Sequence, residues 1–89
     1  MKRYKIHVLG DVQGVFYRHN AKKEADKCGL MGWCRNESDG SVYMVIEGED
    51  KLTGKFLRWL KIGSPLSTVE TVETIEEKYT GLEKEFEIR

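Results

Sequence analysis

Two periodicities succeed one another along this chain in an order that leaves few folds open. In "YKIHVLG" the apolar residues Tyr4, Ile6 and Val8 alternate with Lys5 and His7, which is the period of a strand. From Tyr17 to Cys28 the period changes. Tyr17, Ala21, Ala25 and Cys28 recur at helical spacing, Lys22, Lys23, Glu24, Asp26 and Lys27 fill the other side, and Gly29 supplies the stop. "LMGWCRN" and "SVYMVIEG" read as strands joined through "ESDG", in which Asp39-Gly40 is a hairpin signal between apolar runs. Leu52, Phe56, Trp59 and Leu60 then form the stripe of a second helix, begun near Asp50 and ended at Gly63-Ser64-Pro65, with Gly54 weakening its interior. "STVETVETIEEKY" is β-branched and alternating, hence a strand. "KEFEIR" is expected to be a last short strand, although its glutamates also suit a helix.

The order β-α-β-β-α-β with a tail strand is that of an α+β, ferredoxin-like sandwich: a mixed or antiparallel sheet with both helices on one face. Ala21 and Ala25 let the first helix lie close to such a sheet. At 89 residues the chain is expected to form a single domain over 1–89. A chain of this length buries somewhat over ~60% of its unfolded surface, enough for one modest core. Trp33 and Trp59 are expected to serve that core.

No apolar run approaches the ~18 residues of a membrane-spanning helix, and "MKRYKIHVLG" has no apolar signal region, so a cytoplasmic protein without a membrane partner is expected. Cys28 and Cys34 are then expected to be reduced thiols. The formal net charge is zero, but residues 1–36 hold eight Lys/Arg against three Asp/Glu, whereas 37–89 hold seven against twelve. Sequence halves are not spatial halves, so this asymmetry by itself assigns no ligand.

The stretch "GDVQGVFYRHN", Gly10 to Asn20, joins the first strand to the first helix. A helix N-terminus carries unpaired N–H groups and partial positive charge. Glycines allow backbone angles that aim successive N–H groups into one concavity. Arg18 falls at the helix start, where its planar fork could grip a phosphate through two parallel bonds. Gly10, Gly14 and Arg18 thus read as a cradle for a tetrahedral anion, or as a glycine turn beside a surface arginine. Neither G-x-x-x-x-G-K-[ST] nor G-x-G-x-x-G is present, and no cysteine precedes the arginine to attack a phosphate.

"GDVQGVFYR" closely resembles the acylphosphatase signature G-x-V-Q-G-V-x-F-R. "GWCRNESDGSVYMVIEG", Gly32 to Gly48, resembles that family's second signature, G-[aromatic]-[small]-[basic]-N-x-x-x-G-x-V, followed after five further residues by Gly. "IGSPLSTVETV" and the ending "FEIR" also look like family features, so the resemblance covers nearly the whole chain. Tyr17 stands where the family usually has phenylalanine, Phe16 fills a variable position often held by glycine, and Tyr43 replaces an acidic residue. The resemblance implies hydrolysis of acyl phosphates, with no cofactor and no metal, and with inorganic phosphate as product and inhibitor. Carried over residue by residue, Arg18 would bind the phosphoryl group and Asn36 would hold the attacking water. The backbone amides of Gln13, Gly14, Val15, Phe16 and Tyr17 would complete the cradle.

Other assignments are weaker. His7 reads as a sheet-surface side chain and His19 as a solvated first-turn residue. With Cys28 and Cys34 they lack compact metal-ligand spacing. "NESDGSVYMVIE" fails as a calcium loop because its glycine falls at the fifth position. Small sheets of this order also bind RNA by stacking bases on aromatics, for which Tyr4 and Tyr43 are candidates. The zero net charge and the missing K/R-G-F/Y-G/A-F-V-x-F/Y pattern argue against a nucleic-acid partner. A non-catalytic anion- or RNA-binding module on this fold is the alternative to an enzyme, and a monomer is expected in either case.

Overall fold

The computed structural model describes every residue from Met1 to Arg89. Its elements are β1 (Lys2–Asp11), α1 (Tyr17–Lys27), β2 (Met31–Asn36), β3 (Val42–Gly48), α2 (Asp50–Ile62), β4 (Thr68–Glu77) and β5 (Phe86–Ile88). The strands form one sheet in the order β4-β1-β3-β2-β5, antiparallel throughout except for the parallel pair β2–β5. Each crossover helix skips one position in the sheet, so β3 slots between β1 and β2, and β1 between β3 and β4. This is the ferredoxin-like arrangement. The glutamate-rich tail is a strand, as its pairing of Phe86 with Gly32 and of Ile88 with Cys34 demonstrates.

The core is one cluster between the helices and one sheet face. Ile6 and Val8 of β1, Cys34 of β2, and Val42, Met44 and Ile46 of β3 meet Tyr17, Ala21 and Ala25 of α1 and Phe56 and Leu60 of α2. Phe56 stacks on Trp59 at 6.1 Å and meets Phe86 at 6.3 Å, so the tail strand is held by the core as well as by its ladder. Burying one such ring contributes about 1.5–3 kcal/mol. Trp33 departs from expectation. It lies half-buried on the face that carries no helix, 5.6 Å from the Tyr43 ring, with the guanidinium groups of Arg35 and Arg89 at 5.2 and 4.8 Å. The reason is parity: Gly32 and Cys34 take the core-facing positions of β2, which sends Trp33 outward.

The lower end of the sheet is closed by the 78–85 crossover, fastened by Glu47. One oxygen of this buried carboxylate accepts from Thr80 N at 2.7 Å and Thr80 Oγ1 at 2.8 Å and lies 3.2 Å from Arg3 Nη1. Burial pushes the Glu47 carboxyl up, and the Thr80 hydrogen bonds and the Arg3 guanidinium more than offset it, so the group stays below the usual carboxylate range.

The upper end of β1 is bent by a bulge. Leu9 pairs with Thr71 but Gly10 pairs with Val69, so Glu70 is an extra residue in β4. The bulge breaks the alternation of β4 and lets Val69 and Val72, three residues apart, both pack on the core. It also explains Gly10. With φ of +136°, a Cβ there would run into the Thr68 carbonyl and come within 2.8 Å of the Glu70 nitrogen. Gly10 is therefore a sheet residue that admits a close neighbour.

Gly10→Ala is expected to lower stability by about 1–3 kcal/mol through backbone strain alone. Gly54→Ala, in a helix interior where the added Cβ meets only Arg58 Nη1 at 3.6 Å, should raise it by about 1 kcal/mol. Denaturant unfolding of the two variants checks both signs.

Candidate active site

The loop Val12–Phe16 leaves β1 beyond the bulge and enters α1. Gly14 has φ of +72° and Phe16 +60°, while Val15 between them and Tyr17 after them are not in the left-handed region. This alternation of sign turns successive N–H groups the same way, the geometry of an anion nest. No backbone N–H from Gln13 to His19 donates within the chain; the first that does is Asn20 N, to Phe16 O at 3.0 Å. The five amides picked out by the resemblance, Gln13 to Tyr17, are thus all free donors.

Three side chains hold the loop. Ser64 Oγ, in the α2–β4 connection, donates to Val15 O at 3.3 Å. Asn20 Nδ2 donates to Phe16 O at 2.9 Å. In a planar trans peptide the N–H points opposite to the C=O, so anchoring these carbonyls aims the N–H groups of Phe16 and Tyr17 away from their anchors. Gln13 Nε2 donates to Glu37 O at 2.7 Å and to Ser41 O at 2.8 Å, across to the β2–β3 turn. None of the three was found from sequence as a fixing side chain. The signal in reach was Asn20, four residues past the left-handed residue it fastens. Ser64 lies inside the "IGSPLSTVETV" stretch.

Phe16 is the one non-glycine residue with positive φ, a conformation that glycine adopts at no steric cost. Its side chain is 69% exposed and forms one wall of a cleft of ≈ 270 Å³, lined also by Val12, Gly14, Tyr17, Arg18, His19 and Ile88. Tyr17 is buried. Its hydroxyl donates to Leu60 O at 2.9 Å, one of the carbonyls that the end of α2 leaves without a helical partner. Burial raises the phenol pKa far above its ordinary value, with Cys34 adding to the shift, so it acts only as a donor. The hydroxyl is thereby accommodated where phenylalanine is usual.

Arg18 is half-buried in the first turn of α1, and its Nη1 donates to Arg89 O at 3.2 Å. Arg89 N in turn donates to Cys34 O at 2.8 Å, so the guanidinium is tied through Arg89 to β2. Asn36 is the last residue of β2, paired with Val42, and is exposed at the same upper end of the sheet. The turn that follows is capped without it. Asp39 accepts from the Ser41 backbone at 2.9 Å and from the Ser41 hydroxyl, and Gln13 takes the two flanking carbonyls. The plain structural role open to Asn36, a turn cap, is thus filled by others. The Ser41 hydrogen bonds hold the Asp39 carboxyl below its usual range.

The remaining candidates lie apart. His7 sits on the helix-free face, its Nε2 2.6 Å from Ser41 Oγ and its Nδ1 3.4 Å from Glu73, as a sheet-surface residue would. His19 is an exposed first-turn residue on the rim of the cleft. Cys28 and Cys34 are free and buried, and burial pushes the Cys34 thiol up to about 12 despite the nearby Arg18 and Lys22 charges. Nowhere do three His, Cys, Asp or Glu side chains gather as a metal site would need. A wider hollow of ≈ 410 Å³ on the helix-free face is lined by Lys5, Ile6, His7, Tyr43, Glu73 and Ile75. Its floor is β1, paired on both sides, so it offers no comparable run of free amides. Tyr4 packs against the core while Tyr43 lies on the opposite face, so the two form no common stacking platform.

A model of the acylphosphatase family matches residues 4–88. The chain belongs to the acylphosphatase family. An acylphosphatase of Thiobacillus denitrificans is 41% identical over 86 residues, covering 94% of this chain and 97% of its own length. One of Pyrobaculum aerophilum is 43% identical over 89 residues, with 99% and 94% covered. The crystal structure of an acylphosphatase from Bacillus subtilis superposes with a TM-score of 0.96 at 37% identity, covering 100% of this chain and 99% of that one. The acylphosphatase fold and activity are therefore those of this chain, and acyl phosphates are its substrates. No helix is long and apolar enough to cross a membrane.

Tyr17→Phe should lower stability by about 1 kcal/mol, because Leu60 O loses its partner, and should leave phosphate affinity unchanged, because the cradle uses only the backbone here. Thermal unfolding and phosphate titration separate the two; an unchanged midpoint would contradict the hydroxyl's role.

Proposed function

We propose that the upper end of this sheet is the site at which the chain hydrolyses the carboxyl–phosphate bond of acyl phosphates, by direct attack of a positioned water. The observation that carries the reading is the run of five free backbone amides, Gln13 to Tyr17, that opens α1 and ends on Arg18. Such a run places partial positive charge where a phosphoryl group carries its negative charge, and Arg18 adds a full one.

The chemistry asks for little else. Water oxygen attacks phosphorus, the bond from phosphorus to the carboxyl oxygen breaks, and its electron pair leaves with the carboxylate. The acid of that leaving group has a pKa of about 4, so no general acid is needed. The proton shed by the water passes to a phosphate oxygen, giving the carboxylate and dihydrogen phosphate. A loose phosphoryl-transfer transition state is helped mainly by positioning and by charge stabilisation. The cradle and Arg18 supply the second, and Asn36 the first, its neutral amide orienting water without repelling a dianion. Inorganic phosphate, the product, would occupy the same cradle as a competitive inhibitor.

The reading extends to the chain's surroundings. Residues 1–89 act together as one domain, since one core serves both helices and the sheet. The edge strand β4 carries four glutamates, Glu70, Glu73, Glu76 and Glu77, and the other edge, β5, spans three residues. Such edges discourage pairing between copies and support a monomer. Zero net charge and the opposed faces of Tyr4 and Tyr43 speak against a nucleic-acid partner. Two free thiols suit the reducing cytoplasm.

Arg18→Ala should reduce turnover of a simple acyl phosphate at least ~10²- to 10³-fold and weaken inhibition by inorganic phosphate. Asn36→Ala should lose most turnover while keeping its thermal midpoint and its phosphate affinity. Near-normal kcat in either folded variant would remove that residue from the site.

Activity should also survive exhaustive dialysis against EDTA, because the amides and Arg18 provide the charge a metal would otherwise bring. Activity regained only on adding a divalent ion would contradict the mechanism.

A further inference from the structure

We infer that the side chain of Gln13 is a positioning residue that sets where Asn36 stands relative to the phosphate cradle. The inference rests on the reading of Asn36 given above. Gln13 is one of the free amides before α1, so its backbone N–H is among the donors of the proposed cradle. Its side chain points the other way along the sheet's upper end and spends both amide protons on one target, Glu37 O at 2.7 Å and Ser41 O at 2.8 Å. A primary amide has just these two donors. The carbonyls bracket the five-residue turn from Glu37 to Ser41, whose own closing bond is Glu37 N to Ser41 O at 2.9 Å. Glu37 follows Asn36 directly.

Asn36 is therefore braced from both ends of the cradle. From the start of the loop, Gln13 grips the residue after it. From the helix, Arg18 reaches Arg89 O at 3.2 Å, and Arg89 N reaches Cys34 O at 2.8 Å, two residues before it. The second brace places the strand, and the first places the turn into which the strand runs. An exposed β2 end with no side-chain hydrogen bond from Asn36 to its own turn needs such an outside support. The ladder alone stops at the Asn36–Val42 pair. The turn closes itself through Glu37 N to Ser41 O and through Asp39, and the two hydrogen bonds from the cradle loop fix the distance of this closed hairpin end from the bound phosphoryl group. A displacement of about 1 Å in a water-positioning group costs on the order of 10²-fold in rate.

The experiment is a double-substitution cycle on Gln13 and Asn36, with kcat on a simple acyl phosphate, inhibition by inorganic phosphate and the thermal midpoint measured for each protein. Gln13→Ala is expected to lower kcat about 10- to 100-fold and leave phosphate inhibition within about twofold, since the backbone donor and Arg18 remain. Gln13→Met keeps the length and removes the donors without adding charge, so it should behave like Gln13→Ala. In the Asn36→Ala background, Gln13→Ala should change the residual kcat by no more than about twofold, because a residue that acts through another has nothing left to act on. A Gln13→Ala protein with a lowered midpoint but unchanged kcat would overturn the inference, as would a full additional loss of kcat in the Asn36→Ala background. If instead Asn36→Ala itself retains full kcat, the reading of Asn36 fails first and the inference with it, a pattern distinct from the other two. Should Gln13→Ala fail to fold, Gln13→Met carries the same comparison.

Discussion

A planar peptide cannot present its N–H to a ligand without sending its C=O the opposite way, and the upper end of this protein is organised around that restriction. Free amides at the start of α1 require that the carbonyls of the same peptides be received inside the fold. Val15 O is received by Ser64 and Phe16 O by Asn20. The first of these anchors comes from the α2–β4 connection, so the second half of the fold is needed to aim donors in the first. Tyr17 adds a further tie from the start of α1 to the end of α2 through Leu60 O. The orientation of the cradle is thus a property of how the two helices sit side by side on the sheet, and the glycines only make it attainable.

The element order and most boundaries were legible in the sequence because each element has one dominant periodicity and a clear stop. The free amides were legible for a similar reason, since a glycine-bent entry into a helix leaves donors unpaired wherever it occurs. What escaped was non-local. Glu70 is an extra residue only by comparison with β1, so the bulge, and with it the purpose of Gly10, depends on a register that no single strand displays. Trp33 looked like core because it is large and apolar, but two small neighbours, Gly32 and Cys34, had already claimed the inward positions. The side chains of Gln13 and Ser64 act across 24 or more and 49 positions of sequence respectively, and both residue types are ordinary in loops. Arg18 and Asn36 are proposed through family motifs; spacing alone points to the arginine and leaves the asparagine as a candidate turn residue.

The division of labour within the site follows from the bond that is broken. Because the leaving carboxylate is stable as an anion, the proposed mechanism has no need of an acid with a shifted pKa, and the one perturbed group that lines the cleft, Tyr17, spends its proton on Leu60 O. The titrating groups that the fold does perturb, Glu47, Asp39, Tyr17 and the two thiols, serve the frame: Glu47 fastens a crossover, Asp39 closes a turn, Tyr17 ties the start of α1 to the end of α2, and the thiols fill the core. Backbone donors suit this task well, since they do not titrate and cannot swing away.

Cys34 lies beneath this arrangement with no exposed surface, and its carbonyl receives the bond from Arg89 that ties the guanidinium of Arg18 to the sheet. Its sulfur can meet solvent only when β2 parts from its neighbours or the helix layer lifts. Because the thiolate is the reactive form, a group held this far from ionisation is inert for as long as the site stays closed. The rate at which a small thiol reagent finds Cys34 therefore measures how often this corner of the sheet opens, on a timescale that turnover and thermal unfolding both overlook.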